Sequence, residues 1–282
     1  MTVKIVTDST SDLTPEIASD LGITVVPLHI HFGNETYRDG VELTTAEFYQ
    51  KLATCKTMPT TAVPSPTVFS QVYDEVAQGA DEILVIALSS KLSLVYEVEL
   101  QAAELMTNKC RVEVIDSQAG CMALGLITIA AAKAAKSGAN MDDLLNLTRQ
   151  NIPKAKIYFA FDTLEYLRRG GRIGSVQALL GSMLRVNPVL TLKGGEAHPV
   201  ARPRSRSKAM ECLYQFAMSF SSIEEMAVED ATTNDEAEAL IERLSPRFPT
   251  ERIYRAKVSP VVGTHVGPHV LAVAVLGERG GR

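Results

Sequence analysis

A chain of 282 residues, 46% hydrophobic and 22% charged, carries enough apolar material for one large soluble domain or two modest ones. Its 28 basic and 33 acidic residues give a formal charge of -5 and it has no tryptophan, which argues against a general nucleic-acid binder with a stacking platform. Four scattered cysteines, Cys55, Cys110, Cys121 and Cys212, form no C-x-x-C pair and are expected to be reduced thiols in a cytoplasmic protein.

Val3 to Thr7 is a short apolar strand that leads into Asp8, so the start does not resemble a targeting segment. The turn Asp8-Ser9-Thr10-Ser11-Asp12 follows. Thr14 is placed to cap a helix that begins at Pro15, where the missing N–H costs nothing. Ile23 to Ile30 reads as a strand with an edge or bulge at Pro27. Thr44 and Glu47 form a capping box for a helix holding Phe48, Tyr49 and Leu52. Residues 58–66 contain three prolines, which forbid a regular central element. A helix through Phe69, Val72 and Val76 comes next. Ile83 to Leu88 is a continuous apolar run, typical of a strand covered on both faces.

A helix is expected from about Ser93 to Met106 and a strand from Val112 to Ile115. The apolar stretch Cys121 to Ala135 is too short to span a bilayer and reads as a buried helix. A loop and short helix run from Ser137 to Asn151. The alternation predicts a mainly parallel sheet flanked by helices over residues 1–153. The second domain, 154–282, is expected to be mixed α/β. It starts with a strand at Ile157 to Phe161 and a basic glycine turn at 167–173. Val189 to Leu192 and Ala197 to Val200 form a hairpin. Helices near Lys208 to Met218 and Asp235 to Leu244 alternate with strands at Met226 to Asp230, Ile253 to Val258 and Val270 to Leu276. Gly263 to Pro268 reads as a turn before the last strand.

Ligands of open α/β sheets bind outside the carboxyl ends of the strands. Polar residues recur there: Asp8 to Ser11, Thr60 and Thr61, Ser89 to Ser93, and Asp116 with Ser117. Asp8, Ser9, Ser90, Asp116 and Ser117 are therefore candidates for a polar pocket mouth, with helix capping as the competing reading. A serine hydrolase is disfavoured, because no G-x-S-x-G elbow surrounds Ser90 or Ser93 and no spacing ties His265 to Asp8 or Asp116. No metal site is expected. His29 and His31 share a strand face but lack a third ligand, and no H-E-x-x-H occurs. His265, held in the glycine-proline turn, is suited to donate to a carboxylate. Arg168, Arg169 and Arg172 surround Gly170 and Gly171, and Arg202, Arg204, Arg206 and Lys208 form a second basic group. Each is either an anion site or a solvated face.

These segments together resemble the DegV family of bacterial fatty-acid-binding proteins along essentially the whole chain. The resemblance is carried by Val6 to Leu13, Pro59 to Pro66, Ser89-Ser90 with Leu92-Ser93 and Tyr96, Asp116-Ser117, Arg169 to Ile173, and Gly263-Thr264-His265 with Gly267-Pro268. It implies a long-chain fatty acid in an apolar tunnel between the two domains, and no cofactor. It assigns the carboxylate to Thr61, Ser93 and His265, and the acyl-phosphate and partner surface to Arg169, Arg172, Arg202 and Arg204. It further implies a separate ATP-dependent fatty acid kinase that phosphorylates the bound acid, with at most transient membrane contact. The chain departs from the family pattern at Ala62, Val63, Lys91, Leu94, Val95 and His269. Two other readings stay open: a lipid-responsive regulatory module, and a stand-alone phosphotransferase or hydrolase, although the chain has no P-loop. Burying about fifteen CH₂ or CH₃ groups at ~0.8 kcal/mol each contributes on the order of ten kcal/mol before ordering costs, so a fatty acid's chain suffices for affinity.

Overall fold

The computed structural model describes residues 2–182 and 186–280. Strand β1 (Val3–Asp8) runs through a 3₁₀ turn at Ser9–Ser11 into α1 (Pro15–Leu21). As expected, Thr14 caps α1: its hydroxyl accepts from the Ile17 N–H at 3.4 Å, and Pro15 takes the first helical position. Then come β2 (Ile23–Val26), β3 (His29–Phe32), β4 (Glu35–Arg38) and α2 (Thr45–Thr54), the last opened by the Thr44–Glu47 capping box. β5 (Thr60–Ala62), α3 (Pro66–Val76), β6 (Glu82–Ala87), α4 (Val95–Leu105), β7 (Arg111–Asp116), α5 (Cys121–Lys136) and α6 (Met141–Asn151) follow. The remainder is β8 (Ala155–Ala160), α7 (Glu165–Arg169), β9 (Val189–Lys193), β10 (Glu196–Ala201), α8 (Arg206–Met218), β11 (Phe220–Asp230), α9 (Asn234–Leu244), β12 (Ile253–Lys257), α10 (Pro260–Val266) and β13 (Leu271–Arg279).

These elements make a two-domain α/β fold with three sheets. The first is parallel, in the order β2-β1-β6-β7. β6 is buried at every position, which explains why it reads as an unbroken apolar run. The second is mixed, in the order β10-β9-β8-β13-β11-β12, with β11 and β12 as its parallel pair. Helix α5 lies between these two sheets and contacts β1 on one side and β8, β11 and β13 on the other. It is buried at every residue from Cys121 to Ile129, as a helix sandwiched on both sides must be. The opposite face of the mixed sheet packs Val273 and Met226 against Leu213 and Phe216 of α8 and Leu240 of α9. Among the described residues no helix is long and apolar enough to cross a membrane.

Three local expectations need correction. The strand expected over residues 23–30 is two strands in different sheets, because Pro27 lacks the N–H that would continue the ladder. β3 instead centres a small antiparallel sheet, β4-β3-β5, that the sequence reading missed. Its β5 falls inside the proline-rich segment but has only three residues and sits at an edge, where few backbone donors are needed. The turn expected at 263–268 is mostly the end of α10. Pro260 launches that helix, and Gly263 lets it press on α2, since a Cβ there would meet the Tyr49 oxygen at 2.5 Å. The basic turn at 167–173 begins as the last turn of α7.

The β9–β10 hairpin closes through Gly194 (φ +58°) and Gly195 (φ +84°), both in the left-handed region that a two-residue turn of this type requires. Ser89, after β6, donates its hydroxyl to the Gly195 carbonyl at 2.9 Å and so ties the two large sheets together. A Cβ on Gly195 would stand 2.3 Å from that hydroxyl, whereas one on Gly194 would meet nothing. Gly194→Ala should therefore cost only the left-handed backbone strain of about 1–2 kcal/mol, and Gly195→Ala clearly more. Removing the Ser89 hydroxyl should recover part of the difference. Urea denaturation of the two single variants and of the Gly195→Ala/Ser89→Ala double variant checks this, and equal losses at both glycines would refute the tie.

Candidate functional site

Most polar groups at the carboxyl ends of the parallel strands satisfy one another. Asp8 accepts from the Thr10 N–H at 2.9 Å, the Thr10 hydroxyl at 2.5 Å and the Leu88 N–H at 3.0 Å. Burial pushes its carboxyl above the ordinary range against these hydrogen bonds. Ser9 accepts from the Leu28 N–H at 3.1 Å. The Ser90 hydroxyl donates to Asp116 at 2.6 Å, and Asp116 also accepts from the Gln118 N–H at 2.8 Å. Ser117 accepts from the Ala119 N–H at 3.1 Å. Asp8, Ser9, Ser90, Asp116 and Ser117 thus shape the strand-end loops from within, and none of them lines the cavity that these loops surround.

That cavity is lined by Thr61, Ser93 and His265, brought together from three distant parts of the chain. Thr61 comes from edge strand β5, where it pairs with Ile30 of β3. Ser93 follows β6 in a loop closed by the Leu92 and Ser93 N–H groups on the Ser89 carbonyl at 2.9 and 3.3 Å. His265 lies in the last turn of α10. The Thr61 hydroxyl and His265 Nε2 are 2.9 Å apart. The other ring nitrogen, Nδ1, is buried without a partner among the described residues and lies against Gly170, where a Cβ would approach it to 2.2 Å. Gly170 therefore allows the imidazole its position. Leu94, not Ser93, stands at the N-cap of α4, and Ser93 makes no side-chain hydrogen bond among the described residues. Most of the remaining wall is apolar and includes Leu88, Leu92, Phe159, Phe161, Leu190 and Leu192.

Of the four arginines that the resemblance assigns, Arg172 alone lines this cavity. It donates to the Leu92 and Gly170 carbonyls at 3.0 and 2.8 Å and has no carboxylate partner among the described residues. Arg169 is exposed and bound to Glu165 at 2.6 Å, and Arg168 and Arg169 together pull that carboxyl down to about 2. Arg202 and Arg204 are exposed just beyond the end of β10. Burial, aided by the Arg172 charge, lowers His265 to about 4, so its ring is neutral at pH 7. Two residues of the site carry no sequence signal of their own: Thr10, which lines the cavity from inside the aspartate-serine turn, and Gly170, which reads only as flexibility between arginines but packs against His265. Among the described residues, one further group of Asp, Glu and Cys side chains has metal-binding spacing: Asp12, Cys121 and Glu229. No ligand motif announces it, since its members are more than a hundred residues apart.

The DegV family profile matches residues 2–278. A DegV domain-containing protein of Streptomyces coelicolor is 37% identical over 277 residues, covering 97% of this chain and 98% of that protein. Among solved structures, the chain is similar to a DegV family protein from Thermus thermophilus described for its fatty acid binding. The TM-score is 0.90 at 33% identity, with 98% of this chain and 100% of that one covered. It is also similar to DegV of Bacillus subtilis, described as a fatty acid binding protein, with a TM-score of 0.89, 30% identity and coverage of 99% and 100%.

The depressed His265 pKa has a measurable consequence. The unfolded chain, with an ordinary histidine near 6.5, takes up a proton before the folded one does. Stability from this residue is complete above about pH 6.5 and drains away as pH falls towards 4, to a total on the order of 3 kcal/mol. His265→Gln should flatten that part of the acid-stability curve, and NMR titration should place the wild-type ring clearly below 6. A ring titrating at 6.5 would refute the buried, neutral assignment.

Proposed function

The chain belongs to the DegV family, and from that footing we propose that it binds one long-chain fatty acid in the apolar cavity between its two domains. One observation carries the reading: a cavity with predominantly apolar walls gathers Thr61, Ser93, His265 and a cation, Arg172, that has no carboxylate partner among the described residues. The fatty-acid binding described for the Thermus thermophilus and Bacillus subtilis relatives supports it. In this reading the domains divide at residues 153 and 154.

The chemistry follows from what each group can offer. A buried carboxylate needs hydrogen bonds and a counter-charge. Neutral His265 cannot supply the charge, so Arg172 does. The imidazole donates through Nε2 to the Thr61 oxygen, which leaves the Thr61 hydroxyl hydrogen free for one carboxylate oxygen. The Ser93 hydroxyl, which has no partner among the described residues, donates to the other. The acyl chain then lies along the apolar walls, where its burial supplies most of the affinity.

The chain has no recognisable nucleotide-binding loop. We therefore assign phosphorylation of the bound acid to a separate cytoplasmic ATP-dependent kinase, which converts the presented carboxylate to an acyl phosphate and releases ADP. Exposed Arg169, Arg202 and Arg204 fit the docking surface for that partner and the new phosphate, since one carboxylate does not need four arginines.

Organic extraction and mass analysis of the purified chain should yield about one long-chain fatty acid per protein. Ser93→Ala should weaken head-group binding by roughly 1–3 kcal/mol with little change in thermal stability, because Ser93 caps no helix. Protein that is isolated without lipid and takes up neither palmitate nor oleate would sink the proposal.

The isolated chain should not turn over ATP, and acyl phosphate should form only when a kinase is added. Replacing Arg169, Arg202 and Arg204 together by alanine should spare lipid loading and slow that transfer, while Arg172→Gln should weaken loading itself. Phosphorylation of the bound acid by the chain alone, or full transfer by the triple variant, would overturn this division of labour.

A further inference from the structure

At and behind the cavity wall lie three side chains to which the fatty-acid reading gives no role. Asp12 ends the turn after β1, Cys121 is the first residue of α5, and Glu229 lies in β11. All three are buried, and one ligand atom of each lies within 4.8 Å of the others. Asp12 is only 5% exposed. Its Oδ1 accepts from the Ser259 N–H at 3.0 Å, while among the described residues its Oδ2 has no partner outside the group itself, where Asp12 meets Glu229 and Cys121. Glu229 is fully buried and accepts from the Met122 N–H at 3.2 Å. Neither carboxyl has a lysine or arginine partner among the described residues. Arg255 and Lys257, the nearby cations, bind Asp230 instead.

Two carboxyls and a thiol facing one another in the interior, with no basic partner among the described residues, suit a positive charge at their centre. Without an ion, a proton shared between the carboxyls and a hydrogen bond from the Cys121 thiol to Asp12 hold the group together; a divalent ion displaces both protons and is shared by all three ligand atoms. One soft sulfur and two hard oxygens suit a borderline first-row ion, and three protein ligands leave a fourth position for water. The route in is also present. Asp12 borders a surface groove together with Asp39 and Ser259, and Cys121 borders the fatty-acid cavity. We propose that Asp12, Cys121 and Glu229 bind a divalent metal ion of the zinc class. The ion joins the turn after the first parallel strand, the start of α5 and the mixed sheet, directly behind the fatty-acid cavity.

The test uses the full chain without an affinity tag, stripped with a chelator and then titrated with zinc or cobalt chloride. Native mass spectrometry should show one bound ion, and the cobalt form should show a thiolate charge-transfer band in the near ultraviolet. That band should persist when Cys55, Cys110 and Cys212 are all changed to serine, which leaves the site untouched. Glu229→Gln and Cys121→Ser should each weaken uptake by at least ~10-fold, with circular dichroism verifying that the variants fold. No stoichiometric uptake, uptake without the thiolate band, or loss of the band in the triple-serine chain would each overturn the site. These outcomes are independent of whether the protein carries lipid.

Discussion

Helix α5 is apolar on nearly every side, and the molecule is arranged to cover it. A helix buried at nine successive positions, Cys121 to Ile129, cannot lie on a surface. The parallel sheet covers one side and the mixed sheet the other, so the helix holds the two sheets farther apart than the ~10 Å of directly stacked sheets. That spacing has a consequence where the helix begins. Gly120 and Cys121 line the cavity, as do Leu88 from the end of the parallel sheet and Phe159, Leu190 and Leu192 from the mixed one. The cavity is the gap between the sheets that α5 would have filled had it started earlier, and its apolar walls are the sheet faces continued past the helix.

The polar chemistry of that gap is decided by which groups have already found partners. Asp8, Ser9, Ser90, Asp116 and Ser117 are bonded to one another or to nearby backbone, so they hold loops in place and offer little to a ligand. What remains available is Ser93, the Thr61 hydroxyl and Arg172, with His265 turned neutral by its own burial. A neutral donor beside a cation that has no carboxylate partner among the described residues matches a carboxylate better than two cations would, because only one charge has to leave water on the protein side.

Much of this was legible in the chain. Alternating strand and helix patterns, the Thr14 and Thr44 caps, the Gly194–Gly195 hairpin and the unbroken run at β6 each follow from local rules, and each stands where those rules put it. The failures have a common cause. Pro27 was visible, but whether the chain bends within one sheet or leaves for another depends on what waits beyond it. β5 is too short to announce itself and exists because β3 offers it an edge. Gly263 looked like a turn because a helix tolerates glycine poorly, and only its packing on Tyr49 explains its place in α10.

By itself the sequence determined the two kinds of sheet, the presence of a buried helix, the kinship with the DegV family and the residue types available for a carboxylate. Those depend on periodicity, caps and motifs, which act over a few residues. The tertiary structure alone decided which serines and arginines face the cavity, that Arg172 parts company with Arg169, and that Asp12, Cys121 and Glu229 meet. Such matters turn on contacts between residues far apart in the chain, and on whether a polar group has met another partner first. No local pattern encodes either one.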